Sequence, residues 1–375
     1  MGSELRTLER ADLEQLLAAL SGAGYELVGP TVRQGAIAFE RLGSVADLPI
    51  GLRDVQDGGT YRLEPRGDEA VFGFANGPQS WKRLLHPPVL SLWKARRSAN
   101  GSIEFSEEDD EVPKRAFIGV RSCDLHAIAT LDRSLLEIEH PDPHYAARRE
   151  GIFIVALNCS TAGGTCFCVS MNTGPRASSG FDLALTELLD DDRHRFLVEA
   201  GSEAGERLLA GLATREASTE EVAAGELVSE RTAAAMGRQM ETEGLKELLD
   251  RNLEHPRWDE VSERCLTCGN CTMVCPTCFC TEVDDVSDLS GEEAERTRRW
   301  DSCFNLEFTY VHGGSVRGSS RSRYRQWMTH KLGTWHDQFG TSGCVGCGRC
   351  ITWCPVAIDI TEEAAVIRAT DGETR

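Results

Sequence analysis

The chain has 375 residues, is 41% hydrophobic and 27% charged, and carries a formal net charge of −20. That length supports two or three domains with sizeable cores, and the charge argues against nucleic acid or an anionic membrane as a general partner. The longest purely apolar stretch, Ile152 to Leu157, falls far short of a bilayer span, and the acidic, amphipathic start MGSELRTLERADLEQ reads as neither a secretory signal nor a transit peptide.

In chain order, Leu13, Leu16, Leu17 and Leu20 keep helical spacing, with Gly22 and Gly24 as a C-terminal stop. Short β-like runs follow at Gly35–Phe39, Ala70–Phe74, Phe117–Val120, Ile152–Leu157 and Arg195–Val198. Helical patterns lie between or after them at Leu125–Leu136, Asp182–Leu189 and Glu203–Leu212. This alternation predicts an α+β or α/β domain over residues 1–235. The acidic, Ala-rich sequence of 203–252 reads as helical, with Leu245, Leu248, Leu249 and Leu253 on one face, and a helical connector is expected over 236–260.

A cysteine-rich module then occupies residues 261–360, followed by a tail over 361–375. Eight of the fifteen cysteines form two matching strings, Cys265-x2-Cys268-x2-Cys271-x3-Cys275-Pro276 and Cys344-x2-Cys347-x2-Cys350-x3-Cys354-Pro355. Each matches the two-cluster bacterial ferredoxin run, in which three close thiolates wrap one iron–sulfur cube and the displaced prolyl cysteine ligates the other. Crosswise sharing assigns Cys265, Cys268, Cys271 and Cys354 to one [4Fe-4S] cluster, and Cys344, Cys347, Cys350 and Cys275 to the second. Zinc also favours Cys-x2-Cys, but its sites usually gather two pairs from separate knuckles. Thiols that must stay reduced until metal arrives favour a reducing cytoplasm.

The strings are separated by a long insertion, residues 281–343, which carries Trp300-Asp301-Ser302-Cys303 and a basic stretch containing Arg317, Arg321, Arg323, Arg325, His330 and Lys331. The basic stretch has three readings: a solvated face, a docking patch, or charge compensation for nearby clusters. Arg349, inside the second string, is the best single candidate for compensation.

Seven cysteines remain. Cys123 and Cys159 follow β-like runs, and Cys166 and Cys168 sit in a Gly-rich loop a few residues on. Because ligands gather at strand ends in open α/β sheets, these four are a candidate third cluster site, with buried structural thiols as the alternative. Cys278 and Cys280 repeat the Cys-Phe-Cys pattern of Cys166 and Cys168. With Cys303 and Asp301 they offer either an additional cluster or groups that hydrogen-bond a neighbouring cube. No phosphate-binding loop, complete dinucleotide fingerprint, nucleophile elbow or zinc-protease motif occurs. The expectation is therefore that no nucleotide is bound by this chain and no catalytic residue belongs to it.

Several segments together are similar to a known family. They are Gly119-Val-Arg-Ser-Cys-Asp-Leu-His-Ala-Ile128, Cys166-Phe-Cys168, Cys275-Pro-Thr-Cys-Phe-Cys280, Trp300-Asp-Ser-Cys303 and the two strings. The chain resembles the β subunit of cytoplasmic NAD(P)-linked [NiFe]-hydrogenases, or sulfhydrogenases, and the corresponding subunit of anaerobic sulfite reductases, over about residues 70 to 360. The resemblance implies an electron relay between a flavin subunit handling NAD(P)H and the catalytic or small iron–sulfur subunit of a cytoplasmic complex. It leaves hydrogenase and sulfite reductase use unseparated. A competing reading is an open-sited cluster acting directly on substrate, as in thiol–disulfide reductases.

Overall fold

The computed structural model describes residues 5–106, 112–190 and 193–372. The chain's strands are β1 (Arg6–Glu9), β2 (Glu26–Arg33), β3 (Ala36–Arg41), β4 (Leu52–Asp57), β5 (Thr60–Pro65), β6 (Val89–Arg97) and β7 (Ile103–Ser106). They continue with β8 (Arg115–Arg121), β9 (Phe153–Leu157), β10 (Leu183–Leu189), β11 (His194–Ala200), β12 (Thr214–Glu216), β13 (Thr281–Ser287) and β14 (Glu293–Trp300). Eight of them form one sheet in the order β12-β1-β11-β10-β9-β8-β2-β3. Its centre, β2-β8-β9-β10, is parallel, and antiparallel strands flank it on both sides.

The parallel centre follows from composition. Ala-Phe-Ile-Gly-Val in β8 and Phe-Ile-Val-Ala-Leu in β9 are unbroken apolar runs, suited only to strands covered on both faces. The helix Leu13–Gly22 sets Leu13, Leu16, Leu17 and Leu20 against one face. The helix Ser122–Leu135, the crossover from β8 to β9, sets Leu125, Ile128 and Leu131 against the other.

Two predicted elements are wrong. Asp182–Leu189, expected as a helix, is β10, because its leucines belong to a strand buried by the sheet's two neighbours. Ala70–Phe74, expected as a strand, has no ladder partner; Val71 and Phe72 donate their N–H groups to the Glu187 carboxylate instead. Within 203–252 the helices Glu203–Ala210, Thr219–Ala234 and Leu245–Arg251 are interrupted by β12, and Leu253 is exposed rather than aligned with Leu245, Leu248 and Leu249.

The cysteine strings pack in a second core of Trp258, Met328, Leu332, Ile351, Ile360 and Ile367. The two regions interlock. Phe167 enters that core from the first region, and the β4–β5 hairpin reaches the second string, where Gly59 N–H donates to Ile351 O at 3.2 Å. Within 281–343, β13 and β14 form a hairpin that pairs with β6 in a sheet ordered β13-β14-β6-β7. The helix Ser320–Thr329 lies in the same segment. Among the described residues no helix is long and apolar enough to cross a membrane.

Candidate iron–sulfur centres

The two strings adopt one local geometry. Thr267 and Gly346, two residues after the first cysteine of each string, have φ of 50° and 64°. This left-handed turn folds each backbone N–H onto the preceding sulfur, at 3.4 Å for Thr267 to Cys265 and 3.4 Å for Gly346 to Cys344. Left-handed Gly269 and Gly348 then start the one-turn helices Asn270–Met273 and Arg349–Thr352. A Cβ on Gly348 would lie 2.4 Å from Thr165 O, and one on Gly346 would lie 2.7 Å from the Cys168 backbone, so both second-string glycines are required by the Cys166–Cys168 loop packed on them.

Crosswise juxtaposition is present at the first site. Cys265, Cys268, Cys271 and Cys354 line one small cavity of about 30 Å³, together with Cys350 of the second string and with Phe304, Tyr324, Trp327, Val356 and Ile358. Tyr324 and Trp327 line this space, and their Oη and Nε1 are buried without a hydrogen-bond partner. Buried donors normally find acceptors, and a sulfur-rich anion between the four thiols is the acceptor this space would take. Cys268 is the exposed cysteine of the set, beside exposed Leu266. The Cys271 thiol is pushed well up by burial and by the neighbouring Cys303, Cys265 and Cys354 thiols. Among the described residues no three His, Cys, Asp or Glu groups close on one point as a single ion needs. The thiols surround a volume, which suits a cluster better than zinc.

At the second site Cys350 faces Cys344, Cys347 and Cys275, and burial pushes its thiol well up. Burial likewise drives Cys344 up to about 12. Cys275 goes the other way: the Cys278 thiol donating to it, with the Lys331 ammonium close by, holds it well below the ordinary thiol range. Arg349 is fully buried and gives two hydrogen bonds to Asp124, at 2.9 and 3.1 Å. Arg349 also lies against Cys347 and opposes the rise that burial imposes on that thiol, while Asp124 takes part of its charge.

The structure also gathers the first region's thiols. Cys123 opens the helix after β8, and Cys159 follows β9. Cys166 faces Cys168, Cys159 and Cys347, while Cys123 faces Cys168 and Cys347. Burial raises all four thiols, Cys168 to about 12. They therefore stand together directly beside a second-string cysteine.

Cys278, Cys280 and Cys303 come together around Lys331, and Cys303 also neighbours Cys271. Asp301 faces Cys280, although its Oδ1 already accepts from Ser302 N–H at 2.7 Å and from the Asn305 amide at 3.1 Å. Lys82, from the first region, donates to Cys278 O at 2.9 Å and lies 3.8 Å over the Trp300 ring. Burial lowers Lys82 to about 8 against the opposing pull of Cys278 and Cys275.

The basic stretch divides between surface and core. Arg321 and Arg325 pair with Glu254, and Arg323 donates to Phe304 O; Lys331 is buried. Sequence reasoning missed Tyr324 and Trp327, whose aromatic i, i+3 spacing among arginines was an available signal. It also missed Asp124, the residue after Cys123. Nothing in the sequence pointed to Lys82.

Residues 264–358 match the 4Fe-4S dicluster domain family. The chain is 34% identical over 310 residues, 81% of its own length and 88% of the relative's, to sulfhydrogenase 2 subunit beta of Pyrococcus furiosus. No solved structure matches.

Proposed function

The chain belongs to the sulfhydrogenase β-subunit family, and we propose that it is the iron–sulfur relay of a hydrogenase, passing electrons between an NAD(P)H-handling flavin subunit and the catalytic part of the complex. In this reading Cys265, Cys268, Cys271 and Cys354 hold one [4Fe-4S] cluster and Cys344, Cys347, Cys350 and Cys275 hold a second. Cys123, Cys159, Cys166 and Cys168 hold a third. Each such cluster, when bound, stores and passes one electron at a time.

The observation that carries the reading is the convergence of Cys354 with the three first-string thiols around one space lined by Tyr324 and Trp327, whose buried Oη and Nε1 have no partner. The protein's own work is positional. The left-handed turns aim N–H groups at sulfur, Phe304 and Ile358 exclude water, and the interlocked regions keep the thiol sets at constant separation. Residues 1–235 form the α/β domain, 236–260 the connector and 261–360 the two-cluster module, with the tail beyond.

The test is iron and acid-labile sulfide per chain on anaerobically purified protein, with electron paramagnetic resonance after dithionite. About twelve irons are expected from three four-iron clusters. About eight would remove the third cluster, and zinc without iron would remove the relay.

A further inference from the structure

Five lysines occur in a chain with thirty-five arginines, and two of the five are buried among cysteines. Lys82 is 3% exposed and Lys331 is 4% exposed. Lys331 Nζ donates to Thr277 Oγ1 at 2.9 Å and to Gly343 O at 3.2 Å. Thr277 Oγ1 lies 3.2 Å from the Cys275 sulfur, and Gly343 directly precedes Cys344. The lysine thus clasps the end of one string to the start of the other. The sulfurs of Cys275, Cys278 and Cys344 face its ammonium.

Lys82 has only a carbonyl, Cys278 O, and an aromatic face as partners, with Cys275, Cys278 and Cys280 around it. Arg121, at the end of β8, repeats the pattern. It is 3% exposed, its Nη2 donates to Phe72 O and Phe74 O, its Nη1 has no oxygen or nitrogen partner, and it faces Cys159.

None of these three cations pairs with a carboxylate among the described residues. Equally buried Arg349 pairs with Asp124, and Arg195 pairs with Glu221 and Asp190. A buried cation costs several kcal/mol unless an anion compensates it, and here the groups able to supply negative charge are thiolates. Four thiolates leave an oxidised [4Fe-4S] centre net negative, and reduction adds a further charge.

We infer that Lys331, Lys82 and Arg121 are the fixed countercharges of the thiolate-bound centres: Lys331 for the centre shared by Cys275 and Cys344, Lys82 for the Cys275–Cys280 segment, and Arg121 for the centre that includes Cys159. The inference rests on the relay reading above. A fixed cation favours the reduced, more negative state, so each residue raises the reduction potential of the centre it faces. These are positioning charges, with no contact to a substrate.

The experiment compares the full chain with Lys331→Met, Lys331→Arg and Lys82→Met, all purified without air. Iron per chain, thermal midpoint and the midpoint potential of each signal in a redox titration are measured. Expected are unchanged iron, a downward shift of one centre's potential in Lys331→Met, restoration in Lys331→Arg, and a downward shift of that same centre in Lys82→Met. Potentials that stay put in both Met variants at full iron content would overturn the inference while leaving the relay reading intact. An iron-free parent chain would overturn the relay reading itself. If Lys331→Met loses iron, the arginine variant decides. Iron and potential kept by arginine show that charge is what the position supplies, whereas loss with arginine too would show that fit and hydrogen bonding are, and would sink the inference.

Discussion

The two cysteine strings share their spacing, their left-handed turns and their N–H to sulfur contacts, yet their surroundings differ in kind. The first site is walled by Phe304, Tyr324 and Trp327, offers neutral donors, and reaches the surface at Cys268. The second lies under the Cys166–Cys168 loop, with Lys331 against Cys275 and the Arg349–Asp124 pair behind Cys347. Identical ligand spacing therefore does not produce identical centres. On the relay reading, neutral donors and open solvent at one site, and buried positive charge at the other, should give the two centres different potentials.

Serine substitutions test the comparison most severely. Cys354→Ser should remove about four irons and one resonance signal, and Cys275→Ser about four irons and the other. Loss of the same signal in both variants would break the crosswise assignment, and iron analysis with paramagnetic resonance reads it directly. Next in size is Asp124→Asn, which leaves Arg349 buried and unpaired. It should destabilise the protein by about 3–5 kcal/mol, measured as a fall in thermal midpoint, and Asp124→Asn with Arg349→Met should recover part of that loss. No change in Asp124→Asn would mean that the pair contributes nothing to the second site. The smallest expected effect is that of Tyr324→Phe. Removing one donor of about 0.5–1.5 kcal/mol should lower the potential of the first centre alone and leave the second unmoved. A shift in both would show that the two environments are not separable.

The two cysteine strings were legible because their spacing is a local property of the chain, and the matched dicluster segment spans both. The buried strands β8 and β9 were legible for a similar reason, since an unbroken apolar run of that length admits few other placements. Asp182–Leu189 was misread because Leu-Ala-Leu-Thr-Glu-Leu-Leu satisfies a helical period as well as a buried strand, and only pairing with β9 and β11 decides between them.

The sequence by itself thus determined two ferredoxin-type cysteine strings within a dicluster segment and a mixed α/β region ahead of them. Tertiary structure alone decided what surrounds each sulfur. Lys82 lies 196 residues from the carbonyl it meets, Asp124 lies 225 residues from Arg349, and Thr165 lies 187 residues from Thr352. Charge and burial act through distance in space, and no local pattern records which remote residue will arrive beside a given thiol.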